Sequence, residues 1–182
     1  SRLAAIAVAV LLLTGALGSP IVFAVTDATL SVQKSTAALL KRLAEVKPIY
    51  ASDPEQFFAQ VEDSLAPHID FEGFSSGVMA KHYRRASAEQ KSAFALKFRK
   101  SLVRTYAKAL LEFDNQRVVV KDGEVSRRPE HATVLLEIHG QNGRVYPVDY
   151  NVIEKDGQWM LRNVVIDGIN VGLQFRSQFA AS

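Results

Sequence analysis

The apolar residues of this chain change their period once. Up to about Phe113 they recur every three or four positions, as helices require; beyond Asn115 they alternate every second position, as strands do. A chain with one such switch builds a helical block and a strand block, and each must cover the other's apolar face. At 182 residues, 48% of them apolar, the chain suits a single domain with a real core. The reading is α+β, with several helices packed on a curved four-stranded antiparallel sheet and no internal repeats or flexible linkers.

In the helical block, Val32, Leu39, Leu40, Leu43 and Val46 predict a helix over 26–46, ended by Pro48. Ser52-Asp53-Pro54-Glu55 reads as the start of a second, with Phe57, Phe58, Val61 and Leu65 as its buried stripe. A third, shorter helix is expected over 71–83. Ser87 and Gln90 have the spacing of a capping box, and the pattern runs on to about Phe113. On that fourth helix Phe94, Phe98, Leu102, Val103, Tyr106, Ala109, Leu110 and Phe113 cover over half the circumference, against the roughly 100° stripe of a surface helix. It must be covered on several sides.

In the strand block, 117–121 is valine-rich, and Ala132, Val134, Leu136 and Ile138 alternate with polar or outward positions. Asn142-Gly143 and Asp156-Gly157 mark tight hairpins. Between them Tyr146, Val148, Tyr150 and Val152 share one face. On the last strand, 159–166, either Trp159 and Leu161 or Met160, Val164 and Ile166 face inward. Residues 171–179 read as a closing helix.

The amino-terminal segment has a different character. Arg2 precedes the apolar run 3–13, followed by Thr14, Gly15, Gly18, Ser19 and Pro20. That is the pattern of a secretory signal peptide, with cleavage expected after Gly18 or after Ala24. Residues 1–24 are thus read as leader and 25–182 as the working domain, placed outside the cytoplasm.

Chemistry is sparse. With no cysteine, thiolate nucleophiles, thiolate metal sites and disulfides are excluded. His68, His82, His131 and His139 have no metal-ligand spacing, and no glycine-rich phosphate loop or GxSxG motif is present. Asp149 alternates against the apolar face of its strand and is expected in solvent. Lys97, Lys100, Arg104 and Lys108 form a basic ridge on the fourth helix. A net charge of +3 and no interleaved aromatics argue against nucleic acid. Arg99 projects into the apolar arc, either snorkelling outward or meeting a phosphate at the mouth of a pocket.

Two stretches carry a resemblance: ASAEQKSAFALKFRKSLVRTYAKALLEF (86–113) and VYPVDYNVIEKDGQWMLRNVVIDGINVGLQFRSQF (145–179). With LAPHIDFEGFSSGVMAKHYRRAS between the second and fourth helices, they resemble the MlaC family of periplasmic phospholipid-binding proteins, which includes the auxiliary proteins of toluene-tolerance ABC systems. The resemblance implies a cone-shaped, NTF2-like fold with an apolar pocket between helices and sheet. It implies a carrier, not an enzyme, without metal or cofactor other than bound phospholipid. Its partners would be an inner-membrane ABC transporter complex with its substrate-binding membrane protein and an outer-membrane lipoprotein complex, and its role maintenance of outer-membrane lipid asymmetry. Carried onto this chain, Phe94, Phe98, Leu102, Tyr106 and Leu110 line the pocket from the long helix. Val134, Leu136, Tyr146, Val148, Tyr150, Val152, Trp159 and Leu161 line it from the sheet, with Arg99 at the head group. Two other readings stand beside this one: an enzyme of similar cone shape using a buried Asp or Tyr, and a structural periplasmic subunit without ligand.

Overall fold

The computed structural model describes residues 20–112 and 117–181. Most of the expected leader, and Phe113, lie outside them. Among the described residues five α-helices and six strands follow in order: α1 (Pro20–Val46), α2 (Pro54–Leu65), α3 (Phe71–Met79), α4 (Ala88–Leu111), β1 (Arg117–Val120), β2 (Glu124–Val125), β3 (His131–His139), β4 (Val145–Lys155), β5 (Gln158–Ile166), β6 (Ile169–Asn170) and α5 (Val171–Ala180). Among the described residues no helix is long and apolar enough to cross a membrane.

The helix starts are set by side chains. The capping box at Ser87 and Gln90 is present in full. At α2 the cap within Ser52-Asp53-Pro54-Glu55 is Asp53. Asp53 Oδ1 accepts from the Gln56 amide at 2.9 Å, Pro54 occupies the first turn, and the Ser52 hydroxyl turns back to the Ile49 carbonyl. Asp70 caps α3 and Asn170 caps α5 in the same way. The third helix is shorter than expected, since a 3-10 stretch (Ala80–Arg85) replaces its last turns.

The sheet is antiparallel throughout, in the order β1-β3-β4-β5-β6, with β2 also on β3. β1, β3, β4 and β5 are the four expected strands. β2 and β6, two residues each, were too short to show a period. The β4–β5 turn holds Asp156 at φ 52° and Gly157 at φ 78°, the left-handed pair that a two-residue hairpin needs.

One irregularity decides which side chains of β5 face inward. Asn151 pairs with Asn163, but Val152 pairs with Leu161, so Arg162 is an extra residue, a β-bulge. The bulge reverses the alternation. Trp159 and Leu161 before it, and Val164 and Ile166 after it, all pack on the same apolar cluster with Val134, Leu136, Val148 and Val152. The strand therefore turns inward Trp159 and Leu161 of one candidate set together with Val164 and Ile166 of the other, with Met160 left out.

The helices do not all lie on the sheet. α1, α3 and α5 rest on it, whereas α4 packs mainly on α2 and α3. The wide apolar face of α4 is divided between two clusters. Val103 and Ala107 meet Leu43, Val46, Phe57, Phe58 and Val61. Phe98 and Leu102 meet Ile69, Phe74, Val78 and Val171.

Candidate functional site

Between the α1–α2 pair and the inner face of the sheet the packing leaves a cavity of about 230 Å³. α1 contributes Val32, Leu39, Leu40, Leu43 and Val46, the stripe that its period of three and four sets on one side. α2 adds Val61 and Leu65, the chain after it adds Ile69, and the end of α4 adds Leu110. The opposite wall is sheet: Val118, Leu136, Ile138, Val148, Tyr150, Val152, Trp159 and Leu161. The few polar side chains are Ser35, Thr36, Ser64 and His68, besides the Tyr150 phenol.

The polar groups mark the way out. His68 lines the cavity and also two outer depressions. One is shared with Lys34, Glu130, Gln158 and Trp159, the other with Arg42, Gln60 and Asp63. Burial holds the His68 imidazole below its ordinary value, because charging it there loses hydration. Desolvation likewise pushes the Tyr150 phenol up. An unpaired ion at these positions would be costly, so the space favours apolar, uncharged contents.

The structure divides the expected pocket residues. Leu110, Leu136, Val148, Tyr150, Val152, Trp159 and Leu161 stand on the cavity wall. Phe94, Phe98, Leu102 and Tyr106 do not. They pack with α3 and α5, where Phe98 meets Phe74 and Phe175 with ring centroids 5.0 and 5.3 Å apart, and Phe94 meets Phe179 at 4.8 Å. The reason is the layering: α3 and α5 fill the space that α4 was expected to face across. Val134 is wholly buried in the sheet cluster without reaching the cavity. Tyr146, opposite Ile138 near the hairpin, lies under the Arg144 guanidinium instead.

Arg99 is also elsewhere. Its Nε lies 2.5 Å from Glu62 Oε1, an ion pair too bent to be a hydrogen bond along Nε–H, and its guanidinium sits 5.2 Å from the Phe71 ring centroid. It reaches none of the depressions around His68. Asp149 pairs with Leu135 and Val165 and takes the face alternate to Val148 and Tyr150, away from the cavity. The α1 wall was missed although its stripe was visible: periodicity marks a buried face, not the partner that buries it.

Residues 33–182 match the family model described as MlaC protein. The Toluene tolerance protein ttg2D of Pseudomonas putida is 39% identical over 150 residues, which cover 82% of this chain and 69% of that protein. The Intermembrane phospholipid transport system binding protein MlaC of Haemophilus influenzae is 25% identical over 123 residues, 65% of this chain and 57% of that one. Among solved structures, the phospholipid-binding protein from Ralstonia solanacearum in complex with a phospholipid superposes with a TM-score of 0.73 at 24% identity, over 85% of this chain and 86% of that one. At that identity the likeness is one of fold.

Proposed function

The chain belongs to the MlaC family, and from that premise we propose that it is a phospholipid carrier whose acyl tails occupy the cavity between α1–α2 and the sheet. The observation that carries this reading is the cavity: apolar on both walls, with its polar groups gathered toward the His68 rim. An acyl tail of roughly 16 carbons costs on the order of 12 kcal/mol to expose to water, at about 0.8 kcal/mol per methylene. Moving it through an aqueous space requires a dry slot, and the chain supplies one. The relatives named for phospholipid transport and phospholipid binding support the cargo.

The volume of about 230 Å³ is small for such a cargo; sites for drug-sized ligands span roughly 300–1,000 Å³. Loading therefore moves the walls apart. The α1 wall meets the sheet through apolar side chains such as Ala28 and Val32, which slide without breaking hydrogen bonds. The head group stays at the rim formed by Ser35, Ser64 and His68. This replaces the role first expected of Arg99.

The leader read in residues 1–24 supports a carrier that works in the periplasm. It would shuttle there between an outer-membrane lipoprotein complex and an inner-membrane ABC transporter complex, and so maintain outer-membrane lipid asymmetry. Binding and release suffice for that role, without a catalytic step. The test is native mass spectrometry of protein purified without detergent. Wild type should carry phospholipid, and Val148→Trp, which fills the cavity from the sheet side, should carry less than about a tenth as much. Wild type emerging empty, or Val148→Trp equally loaded, would reject the assignment.

A further inference from the structure

A second concavity of about 720 Å³ lies by the α3–α5 pair, lined from the sheet by Thr133, Asn151 and Asn163, which alternate with the inward-facing Val134, Val152 and Val164. It shares a single lining residue with the apolar cavity, Val152. Among the described residues four arginines line this cleft, Arg127, Arg128, Arg162 and Arg176, and no carboxylate does. In a chain whose 22 basic residues nearly balance 19 acidic ones, that is a pronounced local excess.

Two of the guanidinium groups are fixed in place. Arg176 donates twice to the Gly77 carbonyl, from Nε at 3.0 Å and Nη2 at 2.8 Å, which orients it without neutralising its charge. Arg162 is the bulge residue, turned toward Asp70 at 3.6 Å. Lys155 takes the same carboxylate at 3.1 Å, so one negative charge serves two cations. Arg127 and Arg128 are exposed, and no side-chain partner is found for either among the described residues. The floor is polar: Asn151 and Thr133 hydrogen-bond to each other at 3.1 Å, and Asn163 holds the start of α5. At the rim Leu173 is 50% exposed.

We propose that this cleft is a docking site for an acidic segment of a partner protein, a stretch carrying several carboxylates and at least one apolar side chain. Planar guanidinium groups held in position suit carboxylates, which they pair with two hydrogen bonds at a time. A concave cleft between two helices and a sheet does not admit a flat anionic bilayer. Leu173 offers contact area that a small inorganic anion cannot use. The site stands apart from the lipid reading, because the cleft and the cavity have only Val152 in common among their lining residues.

The probe is a fluorescein-labelled peptide, Glu-Glu-Leu-Glu-Glu-Leu, titrated with the full chain at low ionic strength and followed by anisotropy. Wild type should bind it. Arg127→Glu combined with Arg128→Glu, both on an exposed loop, should weaken binding at least about tenfold, as should Arg176→Glu. Lys97→Glu on α4 should leave it unchanged. Circular dichroism checks folding, and the lipid content of the double variant should match wild type, which separates this site from the cavity. The proposal is overturned if wild type does not bind, if the double variant binds equally well, or if Lys97→Glu is as damaging. It is also overturned if millimolar phosphate displaces the peptide completely, the mark of a small-anion site, or if the arginines retain anionic vesicles rather than the peptide.

Discussion

The Lys155 ammonium donates to the Asp70 carboxylate at 3.1 Å, tying the end of β4 to the residue that caps α3. Asp70 is 5% exposed and also accepts from the Gly73 amide at 3.0 Å. Removing it as Asp70→Ala uncaps α3 and strands two cations, at an expected cost of about 2–4 kcal/mol. Asp70→Asn keeps a capping oxygen and should cost about half as much. Urea unfolding gives the order; an Asp70→Asn midpoint equal to wild type would show that the charge contributes nothing, and one equal to Asp70→Ala that the capping oxygen does not.

Phe98 and Val148 separate stability from cargo. Phe98 sits in the α3–α4–α5 cluster, away from the cavity, and Phe98→Ala should destabilise by about 3–5 kcal/mol with phospholipid retained. Val148→Trp should do the reverse, losing cargo at a smaller stability cost. A Phe98→Ala protein that folds but comes through purification empty would place the binding site on the wrong side of α3.

Arg99 and Glu62 are 29% and 21% exposed in their side chains. A double-mutant cycle of Arg99→Ala and Glu62→Ala should give a coupling of about 1 kcal/mol, toward the upper end for a partly screened pair. Arg99→Ala should leave the lipid content unchanged. If it empties the protein, the head group lies at Arg99 after all and the rim at His68 is misassigned.

His68 carries the pH dependence. Its pKa is lowered by burial, so near and below the ordinary value of about 6.5 the unfolded chain binds a proton that the folded chain does not. Stability from this group is complete above that pH and declines as the pH falls through it. Urea midpoints between about pH 7.5 and 5 should therefore drop more steeply for wild type than for His68→Gln. Parallel curves would mean that the imidazole is solvated in the folded state.

Much of this architecture was readable before folding because it is local. The box at Ser87 and Gln90 and the hairpin at Asp156-Gly157 depend on neighbours three residues apart or fewer. The common face of Val148, Tyr150 and Val152 is equally local, resting on unbroken alternation along β4. What escaped is non-local or aperiodic. The breadth of the α4 face announced that α4 would be buried, but α3 and α5 reached it first. The bulge at Arg162 breaks the period of two on which any assignment of β5 relies. Ser52 and Asp53 are both good caps, and only Asp53 has the geometry to reach the Gln56 amide.

A globular interior is normally filled by its own side chains. Here the protein's own side chains leave a space of about 230 Å³, and an acyl tail seated there would contribute on the order of 5 kcal/mol by the scaling found for truncated cores. That is comparable to the whole margin by which an ordinary domain stays folded, roughly 5–15 kcal/mol. On the carrier reading proposed above, the guest molecule would then complete the hydrophobic interior as well as travel in it. Its delivery should leave a softer protein, readier to yield to the next hydrocarbon chain it meets.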